Sequence, residues 1–118
     1  MKLSVVRDLL NAKVLTDEGE ERLSEIDIQT ACGSDLMSDV LAFVKDQGLL
    51  ITGLINPQVV RTAEMMDIYA ICFVRGKIPD DSIVALARGL GMPLLQTDLS
   101  LFVSCGMLYK GGLMCERE

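Results

Sequence analysis

The chain has 118 residues, a formal net charge of −6, 50% apolar residues, and neither histidine nor tryptophan. That length suits one domain, able to bury roughly two thirds of its unfolded surface without a disulfide or metal staple. The missing histidine removes His-based acid–base and nucleophile chemistry along with the commonest metal ligand. The acidity, with only two Tyr and three Phe, argues against a nucleic-acid surface, which wants clustered cations and stacking rings.

Residues 1–26 read as the less regular part. Leu3, Val6, Leu9 and Leu10 recur at helical spacing, and the segment from Lys13 to Thr16 reads as a short strand. The run TDEGEERLSE is expected to be an acidic, solvated loop. From Ile26 to Cys32, apolar and polar residues alternate as in a half-buried strand.

Residues 27–109 form a cleaner repeat. Ser34 is placed to cap a helix with Leu36, Met37, Val40, Leu41 and Val44 on its inward stripe. Leu49 to Gly53 is a buried strand, followed by a helix capped by Asn56 with Pro57 in its first turn and Val59, Ala63 and Met66 inward. Met65 and Met66 read as core filler at the end of that helix. Tyr69 to Val74 is continuously apolar, as a central parallel strand should be. A helix capped near Asp80 then points Ile83, Leu86, Ala87 and Leu90 inward and stops at Gly89 or Gly91. Pro93 to Gln96 is the last strand, Thr97 caps a helix running to about Tyr109, and residues 110–118 form a fraying tail.

Strand–helix units thus recur about every twenty residues, the rhythm of a mostly parallel α/β sheet in three layers. Ligands of such sheets sit outside the carboxyl ends of the strands. The turns there supply the candidate binding residues Gly53, Asn56, Arg75, Gly76, Lys77, Thr97 and Asp98. Each turn leads into a helix N-terminus, which favours an anion, and Arg75 and Lys77 add two cations. A second reading stands beside this one: the glycines supply turn dihedrals, Thr97 and Asp98 only cap, and the cations are solvated or pair with Asp80 and Asp81.

No catalytic residue is assigned. The chain carries neither a G-x-x-x-x-G-K-[ST] phosphate loop nor a G-x-G-x-x-G fingerprint, and a lone Asp98 makes no mechanism. The cysteines Cys32, Cys72, Cys105 and Cys115 include no C-x-x-C pair, so neither metal nor cofactor is expected, and the thiols read as those of a reduced cytoplasmic protein. The longest uncharged stretch, Gly48 to Val60, is too short and too polar to cross a membrane.

The segments LLITG, ICFVRGK and PDDSIVALARGLGMPLLQTDLSLF, preceded by ACGSDLMSDVL, resemble the DRTGG domain family. Gly91, Pro93, Leu94, Leu95, Thr97, Asp98, Ser100 and Phe102 carry the final motif, and the likeness runs from about Asp27 to Tyr109. The resemblance implies a fold similar to the N-terminal domains of HPr kinase/phosphorylase and Mur ligases, a regulatory role, and self-association. It implies no catalytic residues. The Asp-Arg of the family name is replaced by Leu54-Ile55, and its Gly-Gly turn reads Arg75-Gly76.

The expected function is therefore a non-catalytic regulatory module, a homodimer with an anionic small-molecule ligand or a protein partner. Its dimer surface would be built from Phe43, Met37 and Met107. The alternatives are a kinase-associated or nucleotide-processing activity, by kinship with HPr kinase, and a purely structural adaptor.

Overall fold

The computed structural model describes residues 1–43 and 48–115. Its elements in chain order are α1 (Leu3–Leu10), β1 (Lys13–Val14), α2 (Glu20–Glu25), β2 (Thr30–Gly33), α3 (Met37–Phe43) and β3 (Gly48–Thr52). They continue with α4 (Pro57–Met65), β4 (Ala70–Phe73), α5 (Asp81–Leu90), β5 (Leu94–Gln96), α6 (Leu101–Lys110) and β6 (Met114–Cys115). One sheet of order β1-β5-β4-β3-β2-β6 runs through the molecule. β5, β4, β3, β2 and β6 are mutually parallel, and β1 pairs antiparallel with β5.

Two-residue periodicity sorts the central strands between two apolar layers. Leu49, Ile51, Ala70, Cys72, Val74 and Leu95 face α1, α2 and α6 through Leu3, Val6, Leu10, Leu23 and Leu108. Leu50, Ile71, Phe73 and Leu94 face α3, α4 and α5 through Met37, Val40, Val59, Val60, Ala63, Ile83 and Ala87. Strands buried on both faces can be apolar throughout, as β3 and β4 nearly are, and each large side chain so buried contributes about 1.5–3 kcal/mol. The expected α/β class and three-layer, mostly parallel arrangement are what the chain adopts.

Local rules placed the repeat well. Asn56 Oδ1 accepts from the Val59 N–H at 3.2 Å and caps α4, with Pro57 in the first turn. Asp80 caps α5 through the Ile83 N–H, and Gly91, in the left-handed region at φ 70°, ends it.

Other expectations are corrected. The acidic run is not a loop throughout, because Glu20–Glu25 forms α2. Glu20 and Glu21 sit in its first turn, Leu23 is buried in the core, and Arg7 Nη1 holds Glu20 at 2.6 Å. The strand expected from Ile26 begins at Thr30. Residues just before it clamp the chain start instead: the Met1 ammonium donates to Asp27 Oδ1 at 3.1 Å and to the Ile28 carbonyl at 2.9 Å.

On α3 the inward positions are Met37 and Val40, while Leu36, 57% exposed, precedes the helix and Leu41 is also exposed. Val44 lies outside the described residues. Of the methionine pair on α4, Met66 packs against the core but Met65 is exposed. Leu90 of α5 is also exposed. Of the expected tail, residues 116–118 lie outside the described residues, and the part from 110 to 115 is ordered into the fold. Gly112, at φ 109°, turns the chain, Leu113 enters the core, and β6 pairs with β2.

Thr97 does not cap α6. Ser100 does, its Oγ accepting from the Val103 N–H at 3.1 Å.

Candidate functional site: the carboxyl edge of the sheet

The turns after β3, β4 and β5 converge on one edge, as a parallel sheet requires. After β4, Arg75 and Gly76 both take positive φ, 58° and 68°, and the Lys77 N–H closes the turn on the Val74 carbonyl at 3.1 Å. Two consecutive left-handed residues define a type I′ turn, easy for glycine but strained by about 1–3 kcal/mol for a residue with a side chain. Gly76 meets that need through its dihedral, and a Cβ there would also lie 3.2 Å from Asp98 Oδ1.

Gly53 matters for a different reason, and one that a shift of the exposed Arg75 tip would relieve. Its φ is ordinary, but a Cβ on it would collide with Arg75 Nη2. The glycine after β3 therefore lets the Arg75 guanidinium lie over the strand end.

α5 and α6, which follow β4 and β5, pack on opposite faces, making the β4/β5 border the topological switch point. In this protein that border is closed by backbone. The Gly76 N–H donates to the Thr97 carbonyl at 2.9 Å and the Arg75 N–H to the Leu99 carbonyl at 2.8 Å. Thr97 is 2% exposed. Its hydroxyl donates to the Leu10 carbonyl at 2.7 Å and accepts from the Leu99 N–H at 3.3 Å. This threonine ties α1 to the sheet. Asp98 is exposed and accepts from Gln96 Nε2 at 3.2 Å.

The accessible part of the edge is the β2–β3–β4 side. Asp35, between β2 and α3, reaches across the end of β3. Its Oδ1 accepts from the Gly53 N–H at 2.7 Å and from the Thr52 hydroxyl at 3.1 Å. Its Oδ2 lies 3.5 Å from Arg75 Nη2, with the two side chains 40% and 48% exposed. The Gly53 N–H, then the Thr52 hydroxyl and the Arg75 charge, hold the Asp35 carboxyl below the usual carboxylate range against the opposing effect of partial burial.

Lys77 and Asn56 are exposed nearby in sequence, with the Asn56 side chain occupied by the α4 cap. The edge thus brings Gly53, Arg75 and Gly76 together. It assigns Asn56 and Thr97 to caps and ties, sets Asp98 beside Gly76 on the β5 side, and leaves Lys77 exposed.

Asp35 and Thr52 complete the cluster and were not among the sequence candidates. The signal existed in Ser34-Asp35, at the head of the ACGSDLMSDVL motif, and in the threonine of LLITG. Reading them as a cap and a strand end hid a contact spanning 18 residues.

Burial pushes the Cys72 thiol up to about 12 and raises that of Cys105, so neither is a ready thiolate. Among the described residues no group of three or more Cys, Asp or Glu is placed to hold a metal ion. No described helix is long and apolar enough to cross a membrane.

No family model matches the chain, and no curated protein does. A solved structure does: the CBS and DRTGG domains of the regulatory region of Clostridium perfringens pyrophosphatase, complexed with the activator diadenosine tetraphosphate. It superposes with a TM-score of 0.73 at 16% identity, over 91% of this chain and 45% of that chain. The present chain therefore spans under half the length of that region, and at this identity the likeness is one of fold: an α/β sheet, mostly parallel, flanked by helices.

Proposed function

We propose that this chain is a non-catalytic regulatory module of the DRTGG type that binds a small phosphate-bearing ligand at the carboxyl edge of its sheet. The observation carrying this reading is the Arg75 guanidinium. A strained left-handed backbone and a glycine opposite set it over the end of β3, beside an amide and a hydroxyl already engaged with a carboxylate. A planar guanidinium with adjacent N–H and O–H donors is the chemistry that recognises phosphate. The motif resemblance and the shared fold with a regulatory region whose activator is a dinucleotide polyphosphate support the same reading. A nucleotide-processing activity has no comparable support, for the edge offers neither a phosphate loop nor a base–nucleophile pair.

Calorimetric titration with inorganic phosphate, AMP, ATP and diadenosine tetraphosphate tests the proposal. Saturable heat with at least one phosphate compound, lost in Arg75→Ala, is expected. Silence toward all four, in this chain and in variants with an emptied edge, rejects it.

A second reading concerns association. α6 contains no acidic residue although the chain carries −6, and it turns Phe102, 86% exposed, together with Val103, Met107 and Tyr109 to solvent. A homodimer through this face brings two apolar helices together with no carboxylates between them and only Lys110 charged, at the helix end. Of the residues expected for that surface, Met37 is 8% exposed and belongs to the core, the Phe43 side chain lies outside the described residues, and Met107 is on the α6 face. Light scattering across a concentration series should give twice the chain mass, reverting to a monomer in Phe102→Asp. A monomer at every concentration removes this reading.

A further inference from the structure

The donors that suit a phosphate are not waiting for one. The Gly53 N–H and the Thr52 hydroxyl both donate to Asp35 Oδ1, at 2.7 and 3.1 Å, and Arg75 Nη2 leans on Oδ2 at 3.5 Å. A backbone amide, a hydroxyl and a guanidinium converging on one carboxylate form an anion site whose occupant is part of the chain. We infer that Asp35 is a built-in competing anion, which a phosphate-bearing ligand must displace from Gly53, Thr52 and Arg75 before it can bind. This inference rests on the reading of the edge as a phosphate site and adds how that site is regulated.

Three features of the geometry favour displacement over a purely structural contact. The Asp35 carboxylate is itself partly exposed and its ion pair with Arg75 is long and solvent-screened, so it can swing toward solvent and uncover the buried Gly53 and Thr52 donors beneath it. Gly53 has no Cβ, which leaves the guanidinium free to lie against the strand end beside whichever anion is present. Asp35 stands two residues before α3, in a turn held by the Leu36 N–H on Ser34 Oγ at 3.0 Å. Expelling its carboxylate therefore acts on the start of α3, coupling occupancy of the edge to a helix whose Leu41 is exposed. A site populated by its own carboxylate binds external ligand with an affinity reduced by the fraction of time it is open.

Titration of inorganic phosphate and ATP into the full chain and into Asp35→Asn, Asp35→Ala and Arg75→Ala decides the matter, with circular dichroism melts confirming folded protein. Removing the internal anion should tighten binding about tenfold or more in Asp35→Ala. Asp35→Asn should fall between, since its amide oxygen still accepts from Gly53 but carries no charge, and Arg75→Ala should bind least. Should only the Asp35 variants bind measurably, the inference stands in its strongest form. Wild-type binding that is unchanged or weakened in both Asp35 variants overturns it while leaving the edge as a site. Absence of binding in all proteins, the emptied variants included, rejects instead the underlying assignment of a phosphate site.

Discussion

The two halves of the carboxyl edge use similar residue types in opposite ways. On the β5 half, Thr97 is buried, its hydroxyl bridges to the Leu10 carbonyl, and backbone amides from Arg75 and Gly76 close the space beside it. On the β2–β3–β4 half, Asp35 and Arg75 stay partly exposed and the donors converge on a carboxylate that solvent can reach. Both strand-end threonines are buried, but the Thr97 hydroxyl ties the edge to a backbone carbonyl whereas that of Thr52 serves a carboxylate at the surface. What separates them is whether the following connection crosses to the opposite face and brings backbone down over the edge, as the connection to α6 does.

Substitutions can be chosen to break this contrast. Thr97→Val removes the hydroxyl and leaves the buried Leu10 carbonyl without its donor, at a cost of about 1–3 kcal/mol in unfolding free energy by urea titration. Phosphate affinity should not change, and a loss of affinity in a folded Thr97→Val protein would move the site to the β5 half.

Arg75→Gly separates side chain from backbone. It relieves the left-handed strain and should leave stability unchanged or raised by up to about 1 kcal/mol, since the screened ion pair it removes is worth little. Ligand binding should disappear, as in Arg75→Ala. Binding retained in both variants would show that the guanidinium is not the recognising group.

Asp35 supplies a pH signature. Because its folded-state pKa lies below the ordinary carboxylate value, the unfolded chain binds its proton more tightly. The stability it confers is fully present above the ordinary carboxylate pKa and is lost as pH falls through the folded value. Asp35→Asn should therefore lose less stability than wild type across the acid range. The loss will not vanish, because Asp27 and Asp80 are also held below their ordinary values, by the Met1 ammonium and by the Ser82 hydroxyl respectively. Superimposable acid profiles would mean that the Asp35 contacts do not persist in solution.

Lys77→Ala should give the smallest effect, a few-fold weakening of phosphate binding at low salt that fades at physiological ionic strength, since an exposed cation acts through a screened field. A loss as large as that of Arg75→Ala would place Lys77 inside the site.

The repeat from the LLITG strand to the last strand was legible because its determinants are local. Asn56, Pro57, Asp80 and Gly91 mark helix ends by satisfying or releasing backbone groups within a few residues, and β3 and β4 announce themselves by apolarity on both faces. The chain's first part was harder to read because its structure depends on distant partners. α2 stands where charge suggested a loop, anchored by Leu23 and by Arg7. Residues 26–28 are drawn to the amino terminus before β2 can begin.

The candidate site divided along the same line. The turn at Arg75-Gly76 could be placed on the edge from the repeat alone, but the role of Gly53 as the seat of the guanidinium could not, since the collision it avoids is with a residue from the next unit.

Composition and short-range pattern by themselves determined the α/β class, the order of the central βα units, the caps of α4 and α5, and the exclusion of histidine chemistry, because each follows from contacts within a turn or two of chain. Only the tertiary structure decided that Thr97 is a buried tie and that Asp35 sits among the edge donors. Those roles depend on hydrogen bonds that join Thr97 to Leu10 and Asp35 to Gly53, and a hydrogen bond between distant residues leaves no periodic trace in the chain that makes it.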